Sequence, residues 1–195
     1  GSDSLTYSYH VFKNGVSYTS QAGVNLTSFT FTPDDNANYR IVLTVNDEDG
    51  GSASTEQTIS VSNVAPSPSI TTITVPRSEG GAILVVASAS DPAGANDPLV
   101  YTYNVYKNGS GTAFASQSGV NFTNFTFTPD DNGSYRIVVA VNDGDGGVGT
   151  TEQTITVGNV APTGTLSNTA ITSPAAINGI VTASFSGVSD PSSLD

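Results

Sequence analysis

A long internal repeat constrains the fold of this chain more than any other feature of its sequence. Residues 7–15 return in nearly the same order as residues 101–109, and residues 29–36 return unchanged as residues 125–132. The offsets between the copies are 94 and 96 residues. Copies this alike adopt the same structure, so the sequence predicts tandem domains with a repeat of about 96 residues.

The phase of the repeat divides the 195 residues into three parts. Ser90-Asp91-Pro92 recurs as Ser189-Asp190-Pro191 near the C-terminus. We therefore expect residues 1–64 to form a repeat that lacks its first two strands, residues 65–161 to form a complete repeat, and residues 162–195 to hold the first two strands of a further one. Because free sheet edges pair readily, those last strands are predicted to complete the N-terminal sandwich of a neighbouring copy. The alternative is that the sequence is an arbitrary slice of a longer chain.

Hydrophobic periodicity predicts an all-β fold. Tyr101, Tyr103 and Val105 alternate with polar residues, and the same period of two runs from Tyr135 to Val141. Asn-Gly at positions 108–109 is a hairpin signal, since both residues tolerate positive φ. Six or seven strands in about 96 residues indicate a two-sheet sandwich. The remaining predicted strands are residues 70–75, 82–88, 121–128 and 150–157.

Two short segments carry a family resemblance. Asp35-Asn-Ala-Asn-Tyr39-Arg-Ile41 and its copy ending in Tyr135-Arg-Ile137 have the spacing of the immunoglobulin tyrosine corner, with isoleucine in place of cysteine. Together with Val45-Asn-Asp-Glu-Asp-Gly50, this half of the repeat resembles the PKD family of bacterial and archaeal immunoglobulin-like modules. The Trp-Asp-Phe-Gly-Asp-Gly signature of that family is replaced by Tyr101-Thr-Tyr-Asn-Val-Tyr, so the resemblance is PKD-like or cadherin-like. It implies tandem immunoglobulin-like sandwiches in an extracellular or cell-surface spacer or adhesive protein, usually without catalysis.

Composition excludes several classes of function. A formal net charge of -12 opposes binding to nucleic acid and to anionic membrane surfaces. The chain has no cysteine and one histidine, which removes disulfides, thiolate metal sites and most imidazole chemistry. Apolar runs stay far short of the ~20 residues of a membrane helix, so no membrane insertion is expected. No nucleophile and base recur at useful spacing, and we expect no catalytic residues and no enzyme activity.

The acidic loops are the feature that suggests binding chemistry. In an immunoglobulin-like sandwich, the loop with Asp91 and Asp97 lies at the same end as the hairpin with Asp143 and Asp145. In a head-to-tail array, that end faces the bottom of the preceding repeat. Calcium takes six to eight oxygen ligands, so the sequence predicts a Ca²⁺ site that stiffens this junction. The predicted ligands are Asp34, Asp35, Asp91, Asp97, Asp143 and Asp145, and at a second junction Asp130, Asp131, Asp190 and Asp195.

Other interpretations of these residues stay open. Asp-Gly and Asp-Asp-Asn are also ordinary turn formers that need no metal. Lys13 and Lys107 precede Asn-Gly, where lysine normally faces water, and an intramolecular isopeptide bond is the less favoured alternative.

Two functions from different classes fit the sequence. The first is a structural stalk, fibre or adhesin module whose partners are neighbouring repeats or copies of itself. The second is a polysaccharide-binding accessory module of a secreted hydrolase, which would need an exposed aromatic cluster. Binding to a surface polysaccharide or protein is compatible with either function.

Overall fold

The computed structural model describes residues 4–75, 77–167, 177–178 and 184–192, so the predicted ligand Asp195 lies outside it. The chain divides into two compact units. The first consists of Gly1–Pro66, Ser90–Leu99 and Asn142–Val148. The second consists of Ser67–Ala89, Val100–Val141 and Gly149–Asp195. The first unit thus takes in two loops that follow the predicted boundary at residue 65.

One antiparallel four-stranded sheet, in the order β2-β1-β3-β4, forms the frame of the first unit. Its first hairpin turns at Asn14 and Gly15, whose φ angles of 48° and 86° match the twist of the adjoining strands. The side chains alternate between the two faces, as the period of two predicts. The strands are β1 (Thr6–Lys13), β2 (Val16–Val24), β3 (Ala37–Asn46) and β4 (Ser52–Val61).

Two sheets in the second unit have the orders β5-β6-β9 and β11-β10-β7-β8, and a separate hairpin joins β12 to β13. A short 3-10 helix, Gly94–Asn96, lies between β6 and β7. Strand β8, which pairs with β7, was not expected from the sequence because it has few apolar residues. The strands are β5 (Ser67–Ile73), β6 (Ile83–Ser90), β7 (Val100–Lys107), β8 (Ala115–Val120), β9 (Asn124–Phe127), β10 (Gly133–Asn142), β11 (Val148–Val157), β12 (Thr163–Ser167) and β13 (Ser184–Ser189).

A core between these two sheets stabilises the second unit. Tyr103 of β7 stacks on Phe125 of β9 with ring centroids 5.3 Å apart, which places one sheet on the other. The alternating residues of the predicted strands are buried as expected: Ile83, Val85, Val105, Ile137, Val139 and Val141. The predicted all-β sandwich is therefore confirmed. Among the described residues, no helix is long or apolar enough to span a membrane.

The first unit buries its matching residues less completely. Ile41, Leu43 and Val45 of β3 are half-buried, although their copies in β10 are fully buried. Residues 29–32 lie outside any strand, whereas their identical copy forms β9 by pairing with β6. The described part of the first unit has no second sheet of this kind, and its sheet keeps an apolar face that is only half covered.

The predicted tyrosine corners are present in both units. Tyr39 donates a hydrogen bond from its hydroxyl to the Asp35 carbonyl at 3.0 Å, and Tyr135 donates in the same way to the Asp131 carbonyl at 2.8 Å. Each hydroxyl also lies within hydrogen-bond distance of the preceding aspartate, Asp34 or Asp130. The corner fixes the acidic loop that enters β3 or β10.

Tyr135→Phe tests what one corner contributes. The change leaves a part-buried carbonyl without its donor, so we expect the free energy of unfolding to fall by about 1 kcal/mol and Tm by about 4–8 °C. Thermal unfolding followed by circular dichroism measures the effect. Tyr106→Phe is the matched control, because the first repeat already has phenylalanine at the equivalent position, Phe12. Equal stability of both variants would contradict a stabilising role for the corner.

Candidate metal centre

Asp97 lies at the centre of a group of five carboxylates in the first unit. It is 4 % exposed, and its Oδ2 has no hydrogen-bond donor among the described residues. One oxygen from each of Asp35, Asp97 and Asp145 lies within 4.8 Å of the others, and the same holds for Asp91, Asp97 and Asp143. The structure therefore brings together five of the six carboxylates predicted for this site.

The loop that follows β6 positions Asp91 and Asp97. Asp91 Oδ1 accepts the Ala93 N–H at 2.9 Å, which fixes the start of the turn that leads into the 3-10 helix. Its other oxygen, Oδ2, is buried and has no donor among the described residues. Both aspartates thus hold an oxygen away from water and away from any donor, which is costly for a carboxylate.

The hairpin after β10 positions Asp143. Its Oδ1 accepts the N–H groups of Asp145 and Gly147, both at 2.9 Å, and Asn63 donates to Oδ2 at 2.6 Å. The side-chain bond from Asn63 is the main cause that lowers the pKa of Asp143, and burial opposes it. A Cβ on Gly147 would collide with this carboxylate, so glycine is required there. Asp143 is therefore held as an anion in a fixed orientation.

The environment of Asp97 shifts its pKa in the opposite direction from that of Asp143. Burial raises its pKa, and the negative charges of Asp35, Asp145, Asp91 and Asp143 raise it further. Within the described part of the chain, Lys13 is the one basic side chain that pairs with any of these five carboxylates, and it reaches Asp35. A cation among the carboxylates would offset their mutual repulsion and would bind the Asp97 oxygen that has no hydrogen-bond donor.

The donor set selects the kind of cation. All five side chains offer carboxylate oxygen, with neither sulfur nor imidazole nitrogen, which is the set that suits calcium rather than zinc or copper. Calcium also accepts backbone carbonyls and water, and these would complete six to eight ligands. The residues present therefore fit Ca²⁺.

Asp34, the sixth predicted ligand, has a different environment. Its Oδ1 accepts hydrogen bonds from Lys13 Nζ and from the Tyr39 hydroxyl, both at 2.9 Å. The bond from Lys13 is the main cause that lowers the pKa of Asp34. Asn96 donates to the Asp34 backbone carbonyl at 2.9 Å. Asp34 thus anchors the loop next to the five carboxylates and belongs to neither of the two sets of three described above.

The expectation that the hairpin lysines face water is wrong. Lys107 Nζ lies 2.8 Å from Asp130 and 3.2 Å from Asp131, and its side chain is 16 % exposed. Lys13 makes the same two contacts in the first unit. Each lysine pairs with the acidic loop of its own tyrosine corner, which neither the Asn-Gly signal nor local hydropathy indicates.

The ion pair of Asp130 gives a prediction about acid stability. The Lys107 hydrogen bond is the main cause that lowers the pKa of Asp130 from its usual 3.8, so the folded state binds the proton less readily than the unfolded state. The resulting stabilisation is fully present above about pH 4 and is lost as pH falls through the folded pKa. Asp130→Asn is therefore expected to flatten the loss of stability between about pH 5 and pH 2. Urea unfolding at stepped pH measures it, with Asp49→Asn on an exposed hairpin as the control; parallel curves for wild type and Asp130→Asn would contradict it.

The other residues predicted for a second junction lie in the second unit. Asp131 Oδ1 and Asp190 Oδ2 are buried and have no donor among the described residues. Glu79, which the sequence analysis missed, is 2 % exposed; its Oε1 accepts the Val160 N–H, and its Oε2 has no donor in the described chain. A lone acidic residue before Gly80-Gly81 was the signal that could have identified it.

Part of the chain is similar to a known protein family. Residues 63–158 match the family model described as bacterial Ig domain. No curated protein matches the chain. Among solved structures, the fibronectin(III)-like modules of Clostridium thermocellum CbhA align at 15% identity over 77% of this chain and 76% of theirs, with a TM-score of 0.34. An amphioxus IgVJ-C2 molecule aligns at 16% identity over 78% and 88%, with a TM-score of 0.40. The FN1-FN3 domains of chicken CNTN1 align at 12% identity over 78% and 54%, with a TM-score of 0.36.

Proposed function

We propose, from the match of residues 63–158 to the bacterial Ig domain family, that this chain is a structural segment of an extracellular or cell-surface repeat protein. Calcium bound at the acidic group of the first unit would give the segment its stiffness. The observation that carries the proposal is Asp97, a nearly fully buried carboxylate that faces four other carboxylates and has an oxygen without a donor.

The positions of the ligands in the sequence explain why an ion here would matter mechanically. Asp35 belongs to the first sequence repeat, whereas Asp91, Asp97, Asp143 and Asp145 belong to the second. An ion that holds these loops together would therefore tie two successive repeats at one point. Without the ion, mutual repulsion of the carboxylates would loosen the same loops.

Calorimetric titration of calcium into chelated protein tests the proposal. We expect the wild type to bind and Asp97→Asn to bind at least about tenfold more weakly, because the substitution removes the charge of the central ligand. Asp47→Asn is the matched control, since Asp47 occupies the place of Asp143 in the first repeat and its Oδ1 accepts the Gly51 N–H in the same manner. Equal affinities of wild type and Asp97→Asn would reject the site.

The proposal extends to the acidic residues of the second unit. Glu79, Asp131 and Asp190 each have a buried oxygen without a donor in the described chain, and the Gly80 N–H donates to the Pro129 carbonyl at 2.9 Å. Among the described residues these carboxylates do not converge as the group around Asp97 does, so an ion bound by Glu79 would take most of its other ligands from backbone carbonyls and water. The Glu79→Gln variant is expected to bind one calcium ion fewer than the wild type. An equal number of bound ions would rule out this second site.

Strand complementation between copies is the second part of the proposed function. Strand β3 presents the half-covered residues Ile41 and Leu43, while β12 and β13 expose Leu166, Phe185 and Val188 at 64%, 71% and 66%. The strands that cover the equivalent face in the second unit, β5 and β6, are the sequence counterparts of β12 and β13. We infer that the β12–β13 hairpin of one copy packs against the half-covered sheet of the next.

Sedimentation velocity over a range of protein concentrations tests this assembly. The wild type is expected to form concentration-dependent oligomers, and Phe185→Asp is expected to abolish them because it places a charge in the apolar contact. Val148→Asp, at a side chain that is also exposed, is the control and should associate like the wild type. A monomeric wild type at high concentration would remove strand complementation and leave the calcium site unaffected.

The alternative function, a polysaccharide-binding accessory module, finds less support. Such modules stack sugars on exposed aromatic rings, whereas among the described residues Phe185 is the one exposed aromatic side chain. The other tyrosines and phenylalanines are buried or half-buried. Immunoglobulin-like domains are generally non-catalytic, and we propose no enzymatic activity.

A further inference from the structure

The acidic group of the first unit contains two separate triads rather than one. Asp91, Asp97 and Asp143 form an inner triad, in which Asp97 and Asp143 are 4% and 2% exposed. Asp35, Asp97 and Asp145 form an outer triad, in which Asp145 is exposed. Asp97 alone belongs to both. Each triad supplies enough carboxylate oxygens to begin a calcium site, and one carboxylate has two oxygens with which to serve two ions.

Charge favours two ions over one. The five carboxylates carry five formal negative charges when ionised, and the Lys13 contact to Asp35 offsets part of one of them. A single Ca²⁺ would leave about three negative charges close together around the buried Asp97, whereas two ions would leave about one.

The amide of Asn36 lies at the outer triad. Its nitrogen donates to Asp145 Oδ2 at 3.0 Å and to Asp35 Oδ1 at 2.7 Å. Asn36 thus holds these two carboxylates beside each other, next to Asp97.

We propose that the acidic group holds two calcium ions bridged by Asp97, an inner ion on Asp91 and Asp143 and an outer ion on Asp35 and Asp145. This inference rests on the proposed function, because it assigns the number and ligands of the ions at the same site. The buried side chains of Asp97 and Asp143 would shield the inner ion from solvent, and the outer ion would be the more exposed of the two.

Native mass spectrometry in calcium, with variants that differ by single residues, counts the ions. Asp97→Asn should hold two ions fewer than the wild type, and Asp145→Asn one fewer. Asp49→Asn occupies the position equivalent to Asp145 in the first repeat and should hold the wild-type number. Comparison of totals between variants removes the contribution of ions bound elsewhere, and matching Tm values in chelator verify that each variant is folded.

The outcomes separate the two proposals. A difference of two for Asp97→Asn and of one for Asp145→Asn supports the bridged pair. A difference of one for both variants means a single ion, which overturns this inference and leaves the proposed calcium function standing. No difference for Asp97→Asn overturns both. Loss of an ion in Asp145→Asn but also in Asp49→Asn would show a general effect of surface charge and would reject the outer site.

Discussion

Saturating calcium is expected to raise the Tm of this protein by about 10 °C or more over its value in chelator at matched ionic strength. A ligand that binds only the folded state stabilises it by RT ln(1 + [L]/Kd), which is about 2.7 kcal/mol at a hundredfold excess over Kd. The buried group around Asp97 supplies the physical reason, since its carboxylates repel one another when they are ionised without a cation. Differential scanning calorimetry in calcium and in chelator measures the shift.

Asp97→Asn should reverse the order of stability between the two conditions. In chelator, the substitution removes a buried charge whose Oδ2 has no donor, so the variant is expected to be more stable than the wild type. In calcium, the variant lacks the central ligand and should gain little. The wild type is then the more stable protein in calcium and the less stable in chelator. A variant less stable than the wild type under both conditions would show that Asp97 has a purely structural role.

Magnesium at the same concentration is the control for the metal. It requires a compact octahedral shell and releases water reluctantly, so a group of converging carboxylates favours calcium. We expect a smaller Tm shift with magnesium. Equal shifts with both ions would indicate screening of the net charge of -12 rather than a specific site.

Sequence reasoning predicted the elements of the second unit well because their pattern is local. The buried series Ile137, Val139 and Val141 follows directly from the alternation along one strand. The tyrosine corner was also predictable, since the spacing of Tyr135 from its acidic loop determines which carbonyl the hydroxyl reaches.

Identical segments show where local pattern fails. Residues 29–36 and 125–132 have the same sequence, yet Phe125 and Phe127 lie in β9 and Phe29 and Phe31 lie outside any strand. The difference arises because β9 pairs with β6, and the described part of the first unit has no such partner. Backbone pairing from elsewhere in the chain therefore decided the structure, and local preference did not.

The acidic site was predictable in its residues but not in its organisation. Topology indicated that Asp91, Asp97 and Asp143 come together, because loops at one end of a sandwich are neighbours. The roles of Asn63 and Asn36 could not be predicted, since an amide looks alike in sequence whether it orients a carboxylate or faces solvent. The central position of Asp97 likewise depends on burial, which loop sequences do not encode by periodicity.

Ile137→Ala and Ile41→Ala are matched substitutions at equivalent positions of the two repeats. The difference between their effects on the free energy of unfolding measures how completely each sheet is covered. Ile137 is fully buried, so its truncation leaves a cavity and should lower the free energy of unfolding by about 3 kcal/mol. Ile41 is half-buried, so its truncation should lower it by about 1 kcal/mol in dilute protein. Urea unfolding of both variants and the wild type measures the two values.

Protein concentration then separates a free sheet from one covered by another copy. If the β12–β13 hairpin of a second copy packs on Ile41, the destabilisation by Ile41→Ala should grow towards that of Ile137→Ala as concentration rises, because association buries the side chain. When Phe185→Asp is also present, the destabilisation by Ile41→Ala should stay small at every concentration. If the destabilisations by Ile41→Ala and Ile137→Ala differ by the same amount at every concentration, with and without Phe185→Asp, this face of β3 stays uncovered in solution.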